Sequence, residues 1–270
     1  MTTMLLLIDG LRPDAISPDR TPRLAALAAE GTTALAARCP LPSLTLPVHV
    51  SLFTGVPASE HGITSNVWRP EARRFRGLFD LVAAAGGTTA SFYDWEPLRD
   101  LGAPGSLHHG FFRAVNRRAD GDDIVADAVV AHLTNGCADF VFVYLGTVDE
   151  TGHDHGWMSE PYLDQSTRVD AAVGRIVDAL PEDAHLVVTA DHGGHGLHHG
   201  EGVEEDRRVP MIFRGPRFRS PGIVEEPTTT LDLTPTLGHL LGLPSEPAWT
   251  GRPLDVFSTA PRKTEEGRNP

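Results

Sequence analysis

Short apolar runs alternate along the chain with stretches of mixed polarity, and the two kinds of segment follow different periods. Residues 4–8, 33–38, 87–92, 139–145, 185–190 and 209–213 are predicted as strands. Met4-Leu-Leu-Leu-Ile8 and Phe140-Val-Phe-Val-Tyr-Leu145 are almost wholly apolar, as expected of parallel strands buried on both faces. Helices are predicted over 22–30, 46–54, 76–85, 122–134, 161–180 and 231–241. In the helix at 161–180, Val169, Ala172, Val173, Ile176, Val177 and Leu180 recur at three- and four-residue intervals and form one apolar stripe. Strands alternating with such helices predict an α/β fold, a doubly wound and mostly parallel sheet flanked by helices. Glycine and proline concentrate in 97–106 and 215–222, which are read as surface loops.

Composition narrows the picture. The 270 residues suffice for one large core, and the chain is read as a single domain over 1–260 with a polar, charged tail over 261–270. No apolar stretch is long enough to span a bilayer. The apolar run ending at Ile8 has no basic segment before it and leads straight into Asp9, so a cytoplasmic protein without a membrane partner is expected. Cys39 and Cys137 are the only cysteines, too few for a disulfide framework or a zinc finger, and are read as free thiols. A formal charge of −13 argues against general nucleic-acid binding, which needs a basic surface to replace counterions.

The candidate chemistry lies where predicted strands end. Asp9 follows the first run, Asp149 and His153 follow Leu145, and Asp191-His192-Gly193 follows the run His185–Ala190. Ligands of open α/β sheets bind at this carboxyl edge. Carboxylate oxygen with imidazole nitrogen suits zinc, with manganese or iron as competitors. One such pair alone is more often a turn or a hydrogen bond than a ligand set. Two such pairs and Asp9, all at one sheet edge, make a single shared metal site the economical reading.

The segment Pro42-Ser-Leu-Thr-Leu-Pro-Val-His49, followed by Ser51-Leu-Phe-Thr-Gly55 and Glu60-His-Gly-Ile-Thr-Ser-Asn66, resembles the nucleophile region of the type I phosphodiesterase/nucleotide pyrophosphatase family, a branch of the alkaline phosphatase superfamily. Asp9-Gly10, the spacing of Asp149 to His153, and Asp191-His192-Gly193 extend the resemblance. Leu231-Asp-Leu-Thr-Pro-Thr-Leu and Gly251-Arg-Pro-Leu254 are similar to the superfamily's closing helix and turn. Val48 departs from the pattern, since close relatives often carry a polar residue before the histidine.

The resemblance implies an alkaline phosphatase-like fold, with Thr45 as nucleophile and two divalent ions, zinc first and manganese as the alternative. It places Asp9, Asp191 and His192 with Thr45 on one ion, and Asp149, His153 and a later histidine on the other. His199 is favoured for that place because His199-Gly200 precedes Glu204-Glu-Asp and Val209-Pro210, with His195 next and His198 nearby. Asn66 matches the residue whose amide donates to a phosphate oxygen. The implied activity is hydrolysis of phosphodiester or nucleotide pyrophosphate bonds through a phospho-threonine. The substrate is then a small phosphate ester, nucleotides included.

Elementary chemistry agrees with these roles. A threonine hydroxyl needs a base or a metal to become a nucleophile. Backbone N–H groups at the start of a helix would help hold an anion. Asn66 is a neutral donor and suits the single charge of a diester, whereas a monoester dianion calls for a guanidinium. No arginine adjoins Thr45, although Arg12 or Arg113 could reach the site from other loops.

A phosphomonoesterase, a phosphonate hydrolase and a noncatalytic metal-binding scaffold remain as alternatives. A sulfatase is disfavoured because its modified cysteine sits in C-x-P-x-R, and here Cys39-Pro-Leu-Pro-Ser43 replaces it. His49 and His61 are read as packing or ligand-supporting groups, His108 and His109 as surface loop residues, and His155 and His198 as bystanders. Trp95, Trp68 and Trp157 are candidates to stack a flat group, or to cap the core.

Overall fold

The computed structural model describes residues 1–258, so the expected tail over 261–270 lies outside the described residues. Its strands are β1 (Thr3–Ile8), β2 (Thr32–Arg38), β3 (Thr89–Tyr93), β4 (His109–Phe112), β5 (Phe140–Leu145), β6 (His185–Thr189), β7 (Arg208–Arg214) and β8 (Gly222–Ile223). The helices are α1 (Pro22–Glu30), α2 (Thr45–Thr54), α3 (Ala58–His61), α4 (Leu78–Ala84), α5 (Gly121–Asn135), α6 (Thr147–His155), α7 (Glu160–Ala179), α8 (Glu204–Arg207) and α9 (Leu233–Leu241). All eight strands form one sheet in the order β4-β3-β5-β1-β6-β7-β2-β8. The pairings are parallel except that β7 runs antiparallel to both β6 and β2. This is the mixed, mostly parallel α/β sheet that the apolar runs predict.

The apolar strands occupy the middle of the sheet. Every residue of β1, β5 and β6 is buried. In register, Ile8 pairs with Leu145 and Leu7 with Thr189, so three neighbouring parallel strands end at nearly one level. Asp9, the start of α6 and Asp191 therefore emerge side by side.

Helix α2 is buried along its whole length. The Phe53 ring meets Phe79 and Phe142 at centroid distances of 5.0 and 4.9 Å, and the Thr234 hydroxyl donates to the Leu52 carbonyl. The C-terminal motifs secure α9 beside it. Asp232 accepts from the Thr229 and Arg252 amides at 2.8 Å each, and Thr236 Oγ1 accepts from the Leu254 amide at 2.9 Å. These contacts fix the position from which Thr45 is presented.

Five elements escape the apolar pattern for identifiable reasons. Strand β4 is a mostly exposed edge without polar–apolar alternation, and it contains His109, which the sequence suggested was a loop residue. Helix α6 carries five ionisable side chains in nine residues, so no apolar stripe marks it. Strand β8, with two residues, and α3 and α8, with four each, are too short to show a period. Among the described residues no helix is long and apolar enough to cross a membrane.

Candidate active site

The site is built from the ends of β1, β5 and β6 and the start of α2. Gly10 makes the turn after β1 with φ of 68°. A Cβ there would lie 3.0 Å from the Asp149 Cα, so glycine lets the β1 and α6 ends approach. The Gly10 carbonyl accepts from Trp157 Nε1 and the Tyr162 hydroxyl, both at 2.9 Å. Asp9 is thereby held from behind.

Three imidazoles share one arrangement. Nδ1 of His153, His192 and His199 donates to the carbonyls of Leu197, Gly193 and Ser43 at 2.9, 2.8 and 2.9 Å. A carbonyl can only accept, so each proton sits on Nδ1 and each Nε2 presents a lone pair. His192 Nε2 faces Asp9 Oδ1 at 3.3 Å and Asp191 Oδ2 at 3.4 Å. His153 and His199 present Nε2 to the two oxygens of Asp149 at 3.5 and 3.7 Å. Lone pairs therefore point at lone pairs, an arrangement that needs a cation or a proton between them.

Burial disfavours the proton on the two more enclosed rings, pushing His192 and His199 down to about 3. It also drives the carboxylates toward their neutral forms. Asp9 is raised by desolvation and then by Asp191 and Asp149, Asp149 by desolvation and then by Asp191 and Glu150, and Asp191 chiefly by desolvation. Asp9 Oδ1, Asp149 Oδ1 and Asp191 Oδ2 are buried without a hydrogen-bond partner. Ligand atoms of Asp149, His153 and His199 lie within 4.8 Å of one another, as do those of Asp9, Asp149 and His192. This donor set fits hard or borderline divalent cations.

Thr45 is the first residue of α2, and its hydroxyl lies 3.3 Å from His192 Nε2. Asn66 Oδ1 accepts from the Leu46 amide at 3.0 Å, which fixes the side chain and leaves its Nδ2 donors for a ligand oxygen. Thr45, Asn66, Asp9, Asp149, His153 and His199 line a cleft of about 310 Å³, while Asp191 and His192 are buried. His199, not His195, joins the cluster. His195 instead donates from Nδ1 to Asp206 at 2.7 Å, with Nε2 3.5 Å from Glu201.

Other expected residues separate similarly. His49 is buried, donates from Nδ1 to the Thr45 carbonyl at 2.7 Å and lies 3.6 Å from Asp191. His61 bonds Ser51 Oγ at 2.9 Å. Of the three tryptophans, Trp95 lines the cleft. Trp157 is buried with its ring edge-on to His153, and Trp68 lies under the Arg73 guanidinium. Neither Arg12 nor Arg113 lines the cleft; Arg12 is engaged by Asp14 and the Gly194 carbonyl. The arginine at the cleft is Arg117.

Tyr144 also belongs to the site and was not singled out from sequence. It is buried, and its hydroxyl donates to Asp9 Oδ2, leaving Asp9 Oδ1 turned to His192. Its signal was the lone hydroxyl in the apolar run Phe140–Leu145, because a buried tyrosine hydroxyl usually has a partner.

The family model for type I phosphodiesterase / nucleotide pyrophosphatase matches residues 3–100 and 79–210. The chain belongs to this family. Ectonucleotide pyrophosphatase/phosphodiesterase family member 7 of Rattus norvegicus is 26% identical over 221 residues, covering 70% of this chain and 49% of the relative. A 2,3-bisphosphoglycerate-independent phosphoglycerate mutase of Rhodopirellula baltica is 33% identical over 146 residues, 50% of this chain and 26% of the mutase. The chain thus aligns with about half or less of these curated relatives. Among solved structures, murine ectonucleotide pyrophosphatase/phosphodiesterase 5 superposes with a TM-score of 0.79 in an inactive variant complexed with AMP. That match has 16% identity and covers 96% of this chain and 100% of the other. The fold is the alkaline phosphatase-like one that the resemblance implies.

Proposed function

We propose that this family member is a metal-dependent phosphoesterase that hydrolyses phosphodiester or nucleotide pyrophosphate bonds through a phospho-threonine at Thr45. The observation that carries this reading is the placement of the Thr45 hydroxyl at the start of α2, beside His192 Nε2 and the unpartnered Asp9 and Asp191 oxygens. Asp9, Asp191, His192 and Thr45 would hold one divalent ion, and Asp149, His153 and His199 a second. Zinc suits these ligands best, with manganese as the alternative. When bound, such a pair supplies Lewis-acid stabilisation of the attacking and leaving oxygens.

The chain's own residues define the remaining steps. Thr45 Oγ1 loses its proton and bonds to phosphorus as the ester oxygen departs with its electron pair. Water then adds to phosphorus, the Oγ1–P bond breaks and Thr45 regains a proton. The α2 amides and the Asn66 Nδ2 donors face the charge that develops on the non-bridging oxygens. Asn66 is neutral, which favours a reacting group of single charge. Trp95 offers a flat ring for the rest of the substrate, and the AMP complex of the murine structural relative supports a nucleotide.

The test is hydrolysis of a chromogenic phosphodiester beside the matching monoester, using metal-stripped protein replenished with zinc or manganese. Diester preference with about two ions per chain is expected. Monoester preference would move the function to a phosphatase, and no turnover of either would favour phosphonate hydrolysis or a noncatalytic scaffold.

A further inference from the structure

The charge around the cleft is uneven. Its lining includes Asp9, Asp149, Glu150 and Asp154, with Arg117 as the only lysine or arginine among the described lining residues. Two divalent ions would offset the ligating carboxylates, while Glu150 and Asp154 remain as acids on the cleft wall. A substrate with a second negative group would meet them unless a cation intervened.

Arg117 is placed to be that cation. The turn that bears it is closed by the Arg118 amide donating to the Val115 carbonyl at 2.9 Å and is tied to the cleft wall by Asn116 Nδ2, which donates to Glu150 Oε1 at 2.5 Å. The guanidinium itself is loosely held. Its Nε lies 3.4 Å from Glu150 Oε2, and the side chain is 85% exposed. That separation exceeds an ordinary hydrogen bond, and an ion pair this exposed is weak because solvent screens it. Exchanging Glu150 for a phosphate oxygen therefore costs little, whereas a guanidinium–phosphate fork is charge-assisted and directional.

Resting on the phosphoesterase reading, we propose that Arg117 is a specificity residue that binds a second anionic group in the leaving portion of the substrate. The substrate class it selects is then pyrophosphate-linked, such as a nucleoside di- or triphosphate, over esters with uncharged leaving portions. For a triphosphate, Thr45 Oγ1 loses its proton to solvent and bonds to the α-phosphorus as the bridging P–O bond breaks. Pyrophosphate leaves with the electron pair, and water then releases the nucleoside monophosphate.

A paired assay isolates this contact. A nucleoside triphosphate and the 4-nitrophenyl ester of the same nucleoside monophosphate give the same phospho-threonine and differ in the leaving group. In Arg117→Ala, the ratio of kcat/KM for the triphosphate to that for the nitrophenyl ester should fall roughly ten- to a hundredfold, mainly through KM, as expected for losing a hydrogen bond to a charged group. Arg117→Lys should recover part of the loss, and added salt should lower the ratio in the wild type. An unchanged ratio, or equal losses on both substrates, would overturn the proposal. If the wild type cleaves neither substrate, the phosphoesterase reading itself fails. Calorimetry with inorganic pyrophosphate on the zinc-loaded proteins then decides the anion contact separately, by whether Arg117→Ala weakens binding.

Discussion

Two groups of buried carboxylates lie side by side at the carboxyl edge of the sheet, and burial alone does not distinguish them. Asp9, Asp149 and Asp191 form one group; Asp94 and Asp122 form the other. In the first, unpartnered oxygens meet the Nε2 lone pairs of three histidines. In the second there is no such company. Asp122 accepts from the Gly146 amide at 3.0 Å and the Thr147 hydroxyl at 2.6 Å, while both Asp94 oxygens are buried without a partner. Convergent imidazole lone pairs, rather than desolvated acid, mark a cation site. In the second group burial acts without a cation site, and Asp94 is pushed up to about 9 by burial and then by Asp122.

The largest expected effect separates holding the metal from doing the chemistry. Thr45→Ala removes the proposed attacking oxygen but leaves every carboxylate and imidazole of the first group. Turnover should fall on the order of 10⁴–10⁶-fold while metal content stays near that of the wild type. Asp149→Asn should instead lower the metal content itself, since Asp149 lies within reach of both candidate metal groups. Metal analysis after stripping and replenishment checks both. Wild-type metal content in Asp149→Asn would break the distinction between the two groups.

Asn66 tests the anion-facing side of the first group. Asn66→Ala should cost about 10²–10³ in kcat, the usual price of one preorganised oxyanion donor, again without metal loss. An unchanged kcat would reduce Asn66 to a support for the Leu46 amide.

Tyr144 joins the two groups. Its hydroxyl donates to Asp9, and its ring edge lies against Gly146, where an added Cβ would sit 3.0 Å from Tyr144 Cε1 and 2.9 Å from Asp94 Oδ1. Tyr144→Phe should weaken metal binding or activity about 10–100-fold, the typical effect of losing a hydrogen bond that orients a ligand. A chelator competition titration reads this directly, and identical wild-type and variant curves would remove Tyr144 from the site.

These contrasts show what a sequence can carry. Apolar runs located the three central strands, and the strand-end positions of Asp9, Asp149 and Asp191 placed one edge of the site, because both features are local in the chain. The choice of His199 over His195 was not local. It depends on the loop after β6 folding so that His199 donates to Ser43 while His195 turns to Asp206. Arg117 was likewise invisible as a cleft residue, since an arginine between β4 and α5 has no periodicity and β4 itself was missed. Asp94 was given no role from sequence, because nothing in its neighbours along the chain signals Asp122 behind it.

The last expected effect concerns Asp94 and is one of stability, with no loss of activity as its readout. An unfolded aspartate titrates near 3.9, whereas Asp94 in the fold titrates at about 9. Between these values the native state holds a proton that the unfolded state has released, so folding stability declines as pH rises through that window and levels off above it. Asp94→Asn carries no such proton and should be nearly neutral at pH 4. Relative to wild type it should gain up to about 1.4 kcal/mol per pH unit within the window, with the lowered Asp122 repulsion included in that gain. Urea unfolding of both proteins at pH 5 and pH 8 measures the difference. A gap that widens with pH supports a protonated Asp94. An equal gap at both values would mean that Asp94 is ionised and balanced by a cation, and the two carboxylate groups would then be alike after all.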